Sequence, residues 1–246
     1  MDMILKTTDL CKNFKGQMAV NNVSLNIQRN SVYGLLGPNG AGKSTLMKLL
    51  VAALLPTSGS ILVDGQPLLK MERQLKAQLG YLPQDFGLFN ELTVAQFLDY
   101  MAALKGLRDS GTAVREVIRT VNLEGQARAR IRSLSGGQRQ RVGIAMAMAF
   151  QPRLLLADEP TSALDVTTQA QIVRQMADLR REFQTAILLV THHLGVASYL
   201  ADRILVMRQG QVVEEGRRPD FFGDTASSYT RELLAASPDM EGERYV

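Results

Sequence analysis

Two glycine-rich loops within one domain's length of sequence constrain the fold of this chain more than any other feature. The first, Gly37-Pro38-Asn39-Gly40-Ala41-Gly42-Lys43-Ser44-Thr45, follows the apolar stretch Ser31 to Leu36 and leads into a helix that begins near Lys43. A buried strand, a glycine loop and a helix in that order form a phosphate-binding loop. Its glycines let consecutive N–H groups converge on a β-phosphate, Lys43 brings charge to the β and γ groups, and Ser44 offers a hydroxyl to Mg²⁺. A glycine-rich turn without a ligand is the alternative for this loop alone. The second loop, Leu134-Ser135-Gly136-Gly137-Gln138, opens a helix expected to run through Val142 to Phe150. Its serine hydroxyl and backbone N–H groups stand at the positive end of that helix, where a phosphate is favoured. One chain then carries two phosphate-seeking surfaces. The economical explanation is that two copies pair head to tail, each completing the other's ATP site.

The acids such a site needs come later. Leu154-Leu155-Leu156-Ala157 is an apolar strand ending in Asp158 and Glu159, which puts two carboxylates at the carboxyl edge of a buried sheet beside the phosphate loop. Asp158 fits the acid that holds Mg²⁺ through its water shell, and Glu159 fits the one that orients and polarises the attacking water. A solvated strand end is the other reading of Asp-Glu, and position relative to Lys43 decides between them.

With 246 residues, 46% hydrophobic and 21% charged, the chain suits one large α/β domain with a smaller lobe. The net charge of +4 comes from scattered basic residues, with a short cluster at Arg128, Arg130 and Arg132, so charge does not imply nucleic acid. A lone Cys11 excludes internal disulfides and cysteine metal clusters, which fits a reducing cytoplasm. No apolar run approaches the roughly 20 residues that span a bilayer, so a pore served by this chain is expected to be a separate subunit.

Apolar residues from Ile4 to Leu10 and the alternation of Val23, Leu25 and Ile27 predict strands of an N-terminal sheet. Leu55-Pro56-Thr57-Ser58-Gly59 breaks the helix after the phosphate loop, and Ile61-Leu62-Val63 before Asp64-Gly65 predicts a further strand and turn. Thr93 is placed to cap a helix carrying Val94, Phe97, Leu98, Met101 and Leu104 on one face. A second helix from Ala113 to Val121 and the one after Gly137 complete a helical lobe from about Asp85 to Phe150. The core then resumes with Leu154 to Ala157, a helix from about Thr167 to Arg181, strands Ala186 to Val190 and Ile204 to Met207, and a turn at Gln209-Gly210-Gln211 into Val212-Val213. A polar tail from Arg217 carries one helix near Tyr229 to Ala236.

The two loops in this order, followed by Asp158-Glu159, resemble the ATP-binding subunit of an ABC transporter over nearly the whole chain. The resemblance implies an α/β P-loop NTPase core with an N-terminal antiparallel β subdomain and an inserted α-helical lobe. The implied division is residues 1–84 and 151–216 for the core, 85–150 for the signature lobe and 217–246 for the tail. ATP and Mg²⁺ are the implied ligands. The loop from Gly37 through Thr45 would hold the nucleotide, while Ser135, Gly136, Gly137 and Gln138 would meet the ATP of a second copy. Gln84, in Tyr81-Leu82-Pro83-Gln84-Asp85, corresponds to the residue whose side-chain oxygen reaches Mg²⁺ or the attacking water, and a surface glutamine is its alternative. His192 corresponds to the γ-phosphate contact, although a lone strand-end histidine is more often structural. Asp165, in Ser162-Ala163-Leu164-Asp165, corresponds to the loop that touches the opposite subunit. Phe14 matches the aromatic that stacks on adenine, with Val20 beneath it; a core phenylalanine is the other reading.

His193 departs from the family, which usually has aspartate there before the next helix. As an N-cap, histidine is poor, and the change is expected to cost on the order of 0.5 to 2 kcal/mol locally. The finer resemblance changes along the chain. Leu5 through Thr57 resembles ATPases of bacitracin and lantibiotic exporters. From Arg139 onward, including Tyr229-Thr230-Arg231-Glu232-Leu233-Leu234, it resembles those of oligopeptide or nickel importers, and the direction of transport stays open. The implied partners are a second copy or paralogous ATPase and a transmembrane permease, with the chain on the inner face of the cell membrane and no nucleic acid. A non-transport ABC-type ATPase acting on nucleic acid or the ribosome is the main rival. It typically brings linked ATPase domains, long coiled-coil insertions or zinc cysteines. A small-molecule kinase with a phosphate loop is the second, and it leaves Leu134 to Gln138 unexplained.

Overall fold

Thr7 decides how the N-terminal sheet is divided. In the computed structural model, which describes residues 2–70, 78–84, 87, 89–104, 106, 110–149, 151–162, 164–221 and 227–235, the first strand is β1 (Met3–Phe14) and the second is β2 (Gln17–Val23). The buried Thr7 hydroxyl donates to Val23 O (2.9 Å) and accepts from Leu25 N (2.8 Å). That side chain interrupts the run predicted across Val23, Leu25 and Ile27, so Asn26–Gln28 forms a separate short strand, β3. All three pair through β1, antiparallel.

The chain then enters β4 (Val32–Leu36), buried along its whole length, and passes through the phosphate loop into α1 (Lys43–Leu50). β5 (Ser58–Val63) and β6 (Gln66–Pro67) return to the N-terminal sheet, giving the order β2-β1-β5-β6 with β3 beside β1. Ser58-Gly59, expected to be part of a helix-breaking turn, lies in β5. Gly59 has φ 87° and packs so closely on the Asp9 backbone, where β1 itself bulges, that a Cβ there would come within 2.4 Å of Asp9 O.

β7 (Leu79–Leu82) leads to the helices α2 (Val94–Leu104), α3 (Gly111–Thr120) and α4 (Gly136–Met148). Thr93 caps α2 as expected. Its hydroxyl accepts from Gln96 N (3.2 Å), and Gln96 Oε1 accepts from Thr93 N (3.0 Å), a reciprocal pair that satisfies two of the helix's orphan donors. The core resumes with β8 (Leu154–Asp158), α5 (Val166–Phe183), β9 (Ala186–Val190), α6 (Leu194–Leu200), β10 (Arg203–Arg208) and β11 (Gln211–Arg217), followed by α7 (Arg218–Phe221) and α8 (Ser228–Ala235). Asp85, Phe150, Ala163 and Ala236, named from the sequence above, lie outside the described residues.

The central sheet runs β11-β10-β4-β9-β8-β7, parallel throughout except for β11. Parallel strands are covered on both faces, and β8 shows how. Leu154 and Leu156 enter a core shared with α1 and the antiparallel sheet, while Leu155 and Ala157 enter the core shared with the helices α2 to α5. Burying each leucine contributes on the order of 1.5 to 3 kcal/mol. The register β8–β9 pairs Asp158 with Val190, and β4 lies on the far side of β9. The carboxyl ends of β4, β8 and β9 therefore converge on one edge, and the phosphate loop, Asp158-Glu159 and His192 all emerge there.

Candidate active site

The phosphate loop is shaped by its neighbours as much as by any ligand. Gly42 has φ 103°, and a Cβ on it would lie 2.2 Å from Ala19 O. A Cβ on Gly37 would meet Met207 O at 2.3 Å. Gly40, by contrast, has φ 80° and open space around it. Two of the three glycines are thus required by close packing against β2 and β10 as well as by conformation. Lys43 is buried, and its Nζ donates to Gly37 O (2.7 Å) and Pro38 O (3.0 Å). Burial lowers its pKa from the usual lysine value, against the opposing pull of Glu159 and Asp158. Ser44 is exposed at the cavity wall.

Across the cavity stands the second half of the chemistry. Asp158 is buried, and its pKa is raised by burial first and by the charge of Glu159 second, with Lys43 and Lys48 opposing. Glu159 turns out of the strand with φ 49°, a left-handed conformation that a residue with a side chain adopts at a cost on the order of 1 kcal/mol. Its N–H donates to Val190 O (2.9 Å) and its carbonyl accepts from Ser162 Oγ (3.0 Å), which fixes the turn. The carboxylate is held from two sides: Gln84 Nε2 donates to Oε2 (3.3 Å), and His192 Nδ1 lies 3.1 Å from Oε1. Gln84, Glu159 and His192, far apart in sequence, thus form one cluster. His193 is the N-cap of α6 and makes no side-chain cap bond there.

A cavity of about 960 Å³ is lined among others by Phe14, the phosphate loop except Ala41, Gln84, Glu159 and His192, while the buried Asp158 is not part of its wall. Phe14 is 44% exposed at its mouth, with Lys12 Nζ 5.1 Å from the ring centre. Val20 is fully buried in the core and does not line the cavity; Gln17, Met18 and Ala19 of the same strand do. Gln209 also lines it. No sequence motif singles out these four. Gln209 is legible only as a turn residue, and its position depends on Gly210, whose N–H donates to Ala41 O and whose carbonyl accepts from Asn21 N, both at 2.8 Å.

Ser135, Gly136, Gly137, Gln138 and Asp165 do not line this cavity. Ser135 N-caps α4 in a reciprocal box: its Oγ accepts from Gln138 N (3.3 Å), and its N–H donates to Gln138 Oε1 (2.9 Å). Asp165 caps α5, accepting from Thr168 N (2.9 Å) and Thr168 Oγ1 (2.7 Å), and these bonds lower its pKa. Both capped helix starts are exposed.

A phosphate loop at the carboxyl edge of a parallel sheet, facing a strand-end acid pair, defines the class as a P-loop nucleoside triphosphatase. Residues 20–162 match the family model described as ABC transporter, and the chain belongs to that family. It is an ATP-binding, ATP-hydrolysing cassette. It is 39% identical over 91% of its length to a methionine import ATP-binding protein of Pectobacterium atrosepticum, of which it covers 68%. The chain spans about 56 to 72% of the length of others of that name. Among solved structures it is similar to cbiO1 from Clostridium perfringens, part of the ABC transporter complex cbiONQ, with a TM-score of 0.84, 29% identity and 97% of both chains covered. It is also similar to an ATP-binding cassette whose dimer is in a post-hydrolysis state bound to ADP and Pi, with a TM-score of 0.76, 30% identity, and 87% of this chain and 98% of that one covered. Neither the bacitracin exporter resemblance nor the oligopeptide importer resemblance is confirmed by these relatives. Among the described residues no helix is long and apolar enough to cross a membrane.

Proposed function

We propose that two copies close head to tail around two ATP molecules and drive a separate membrane permease from its cytoplasmic face. The observation that carries this reading is the division of the phosphate chemistry. Lys43, Glu159 and His192 share one cavity, whereas Ser135, Gly136 and Asp165 are exposed outside it. A second chain would bring its signature to the open side.

Lys43 exchanges its two loop carbonyls for the β- and γ-phosphates, which offer stronger, charged acceptors. Ser44, Asp158 and Gln84 are hard oxygen donors suited to Mg²⁺, which neutralises charge on the phosphoryl oxygens when bound. Glu159 orients the attacking water and takes up its proton as the bond to the γ-phosphorus forms and the bond from that phosphorus to the β–γ bridging oxygen breaks, releasing ADP and phosphate, while Gln84 and His192 hold the carboxylate in place. Phe14 stacks on the base. The methionine-import relatives support the importing direction for this chain as well.

Glu159→Gln preserves the size of the side chain and removes the base. Hydrolysis is expected to fall at least about 100-fold while ATP binding persists, because general base catalysis contributes roughly that much. The variant should accumulate as an ATP-bound dimer on gel filtration with Mg²⁺. Turnover near that of the parent would remove Glu159 from this role.

A further inference from the structure

Gly137 lies against α5 more tightly than any phosphate chemistry requires. A Cβ at this position would come 2.4 Å from Thr168 Cγ2, whereas one on Gly136 would meet only Leu164 Cδ2, at an ordinary 3.7 Å. A threonine methyl can usually rotate out of the way. This one cannot do so freely: Thr168 Oγ1 sits on the same Cβ and donates to Asp165 Oδ2 at 2.7 Å. Turning χ1 to move the methyl carries the hydroxyl off the aspartate. Two residues with separate jobs at the partner-facing surface are therefore geared to one side chain. One turn further along both helices, Arg141 Nη2 donates to Gln171 Oε1 (2.9 Å), so α4 and α5 are stitched together over two successive turns.

We infer that Thr168 is a positioning residue for ATP hydrolysis. Its methyl sets how closely the start of α4, with Ser135 and Gly136, approaches α5, and its hydroxyl fixes Asp165 at the start of α5. The signature and the Asp165 loop then reach a second copy as one rigid surface. This inference rests on the head-to-tail reading above, since only an opposed nucleotide makes that relative position matter for rate.

The test separates steric gearing from loss of a bare phosphate contact. Gly137→Ala is expected to lower kcat about tenfold or more, as misplacements near 1 Å do, while ATP affinity of the monomer, read by fluorescence titration, changes less than about twofold. Thr168→Ser keeps the hydroxyl and deletes the methyl. Combined with Gly137→Ala it should restore kcat to within about threefold of Thr168→Ser alone and raise the melting temperature above that of Gly137→Ala. Thr168→Val keeps a methyl and deletes the hydroxyl, and it should rescue neither. The inference is overturned if serine fails to rescue, if valine rescues equally well, if Gly137→Ala turns over normally, or if the double variant melts below Gly137→Ala. A failed rescue alongside restored activity in mixed dimers of complementary mutants would sink the gearing and spare the head-to-tail reading. A successful rescue without such complementation would do the reverse.

Discussion

In the phosphate loop, Gly42 takes a φ of 103° and sits where any side chain would strike the Ala19 backbone, while in the signature Gly136 and Gly137 are ordinary helical residues in the first turn of α4. The phosphate loop bends sharply and is braced by two strands of its own chain. The signature is straight, exposed and closed upon itself by the Ser135–Gln138 box. Glycine serves both conformation and close packing in the first region, and in the second it serves close helix packing at Gly137 alone. The contrast teaches that the phosphate loop is shaped by packing within its own chain, whereas the signature lies open outside the cavity, as the proposed head-to-tail pairing requires.

The largest effect expected from attacking this contrast is at Lys43. Lys43→Ala removes the buried ammonium, and hydrogen bonds to charged groups are strong enough that ATP affinity should weaken about 100-fold or more. The melting temperature without ATP should barely move, because the lost lysine was itself desolvated. Retained affinity in a fluorescence titration would show that the loop binds phosphate through its backbone alone.

A smaller effect probes the cost of a charge buried beside the phosphate loop. Asp158 has its pKa raised by burial, so between the ordinary carboxylate value and the raised one the folded chain holds a proton that the unfolded chain has lost. Stability from the protonated acid is full at low pH and is lost as pH rises through that window. An amide of the same shape does not titrate. Asp158→Asn should therefore melt about 2 to 4 °C above the parent at pH 7 while losing ATPase activity, as active-site substitutions that relieve buried charge do. The advantage should vanish near the ordinary carboxylate pKa, about pH 4. An equal or lower melting temperature at pH 7 would place the charge of Asp158 in balance with Lys43 and Lys48.

Elements set by one strong local rule were legible in the sequence. Ala186 to Val190 reads as a buried strand and is one, and the Thr93 cap works through Gln96 as the spacing suggests. The phosphate loop and the acid pair are found because their chemistry is written in consecutive residues. What escapes depends on contacts between distant segments. The break between β2 and β3 comes from the Thr7 hydroxyl, many residues upstream. Gln17, Met18, Ala19 and Gln209 reach the cavity because β2 and the β10–β11 turn pack on the phosphate loop, and no short motif announces that. Val20 alternates to the core side of the same strand. Gln84, Glu159 and His192 needed the resemblance to be named together, and their mutual bonds lie beyond any local pattern.

The head-to-tail arrangement is tested most directly by mixing two inactive proteins, Ser135→Arg and Lys43→Ala. In the mixed dimer both lesions fall on one composite site, and the other pairs an intact Lys43 with an intact Ser135. ATPase activity should reappear on mixing, to at most about half the parent rate per dimer, since one of two symmetric sites is whole. A mixture no more active than its components, with heterodimers demonstrated by native mass spectrometry, would contradict the account.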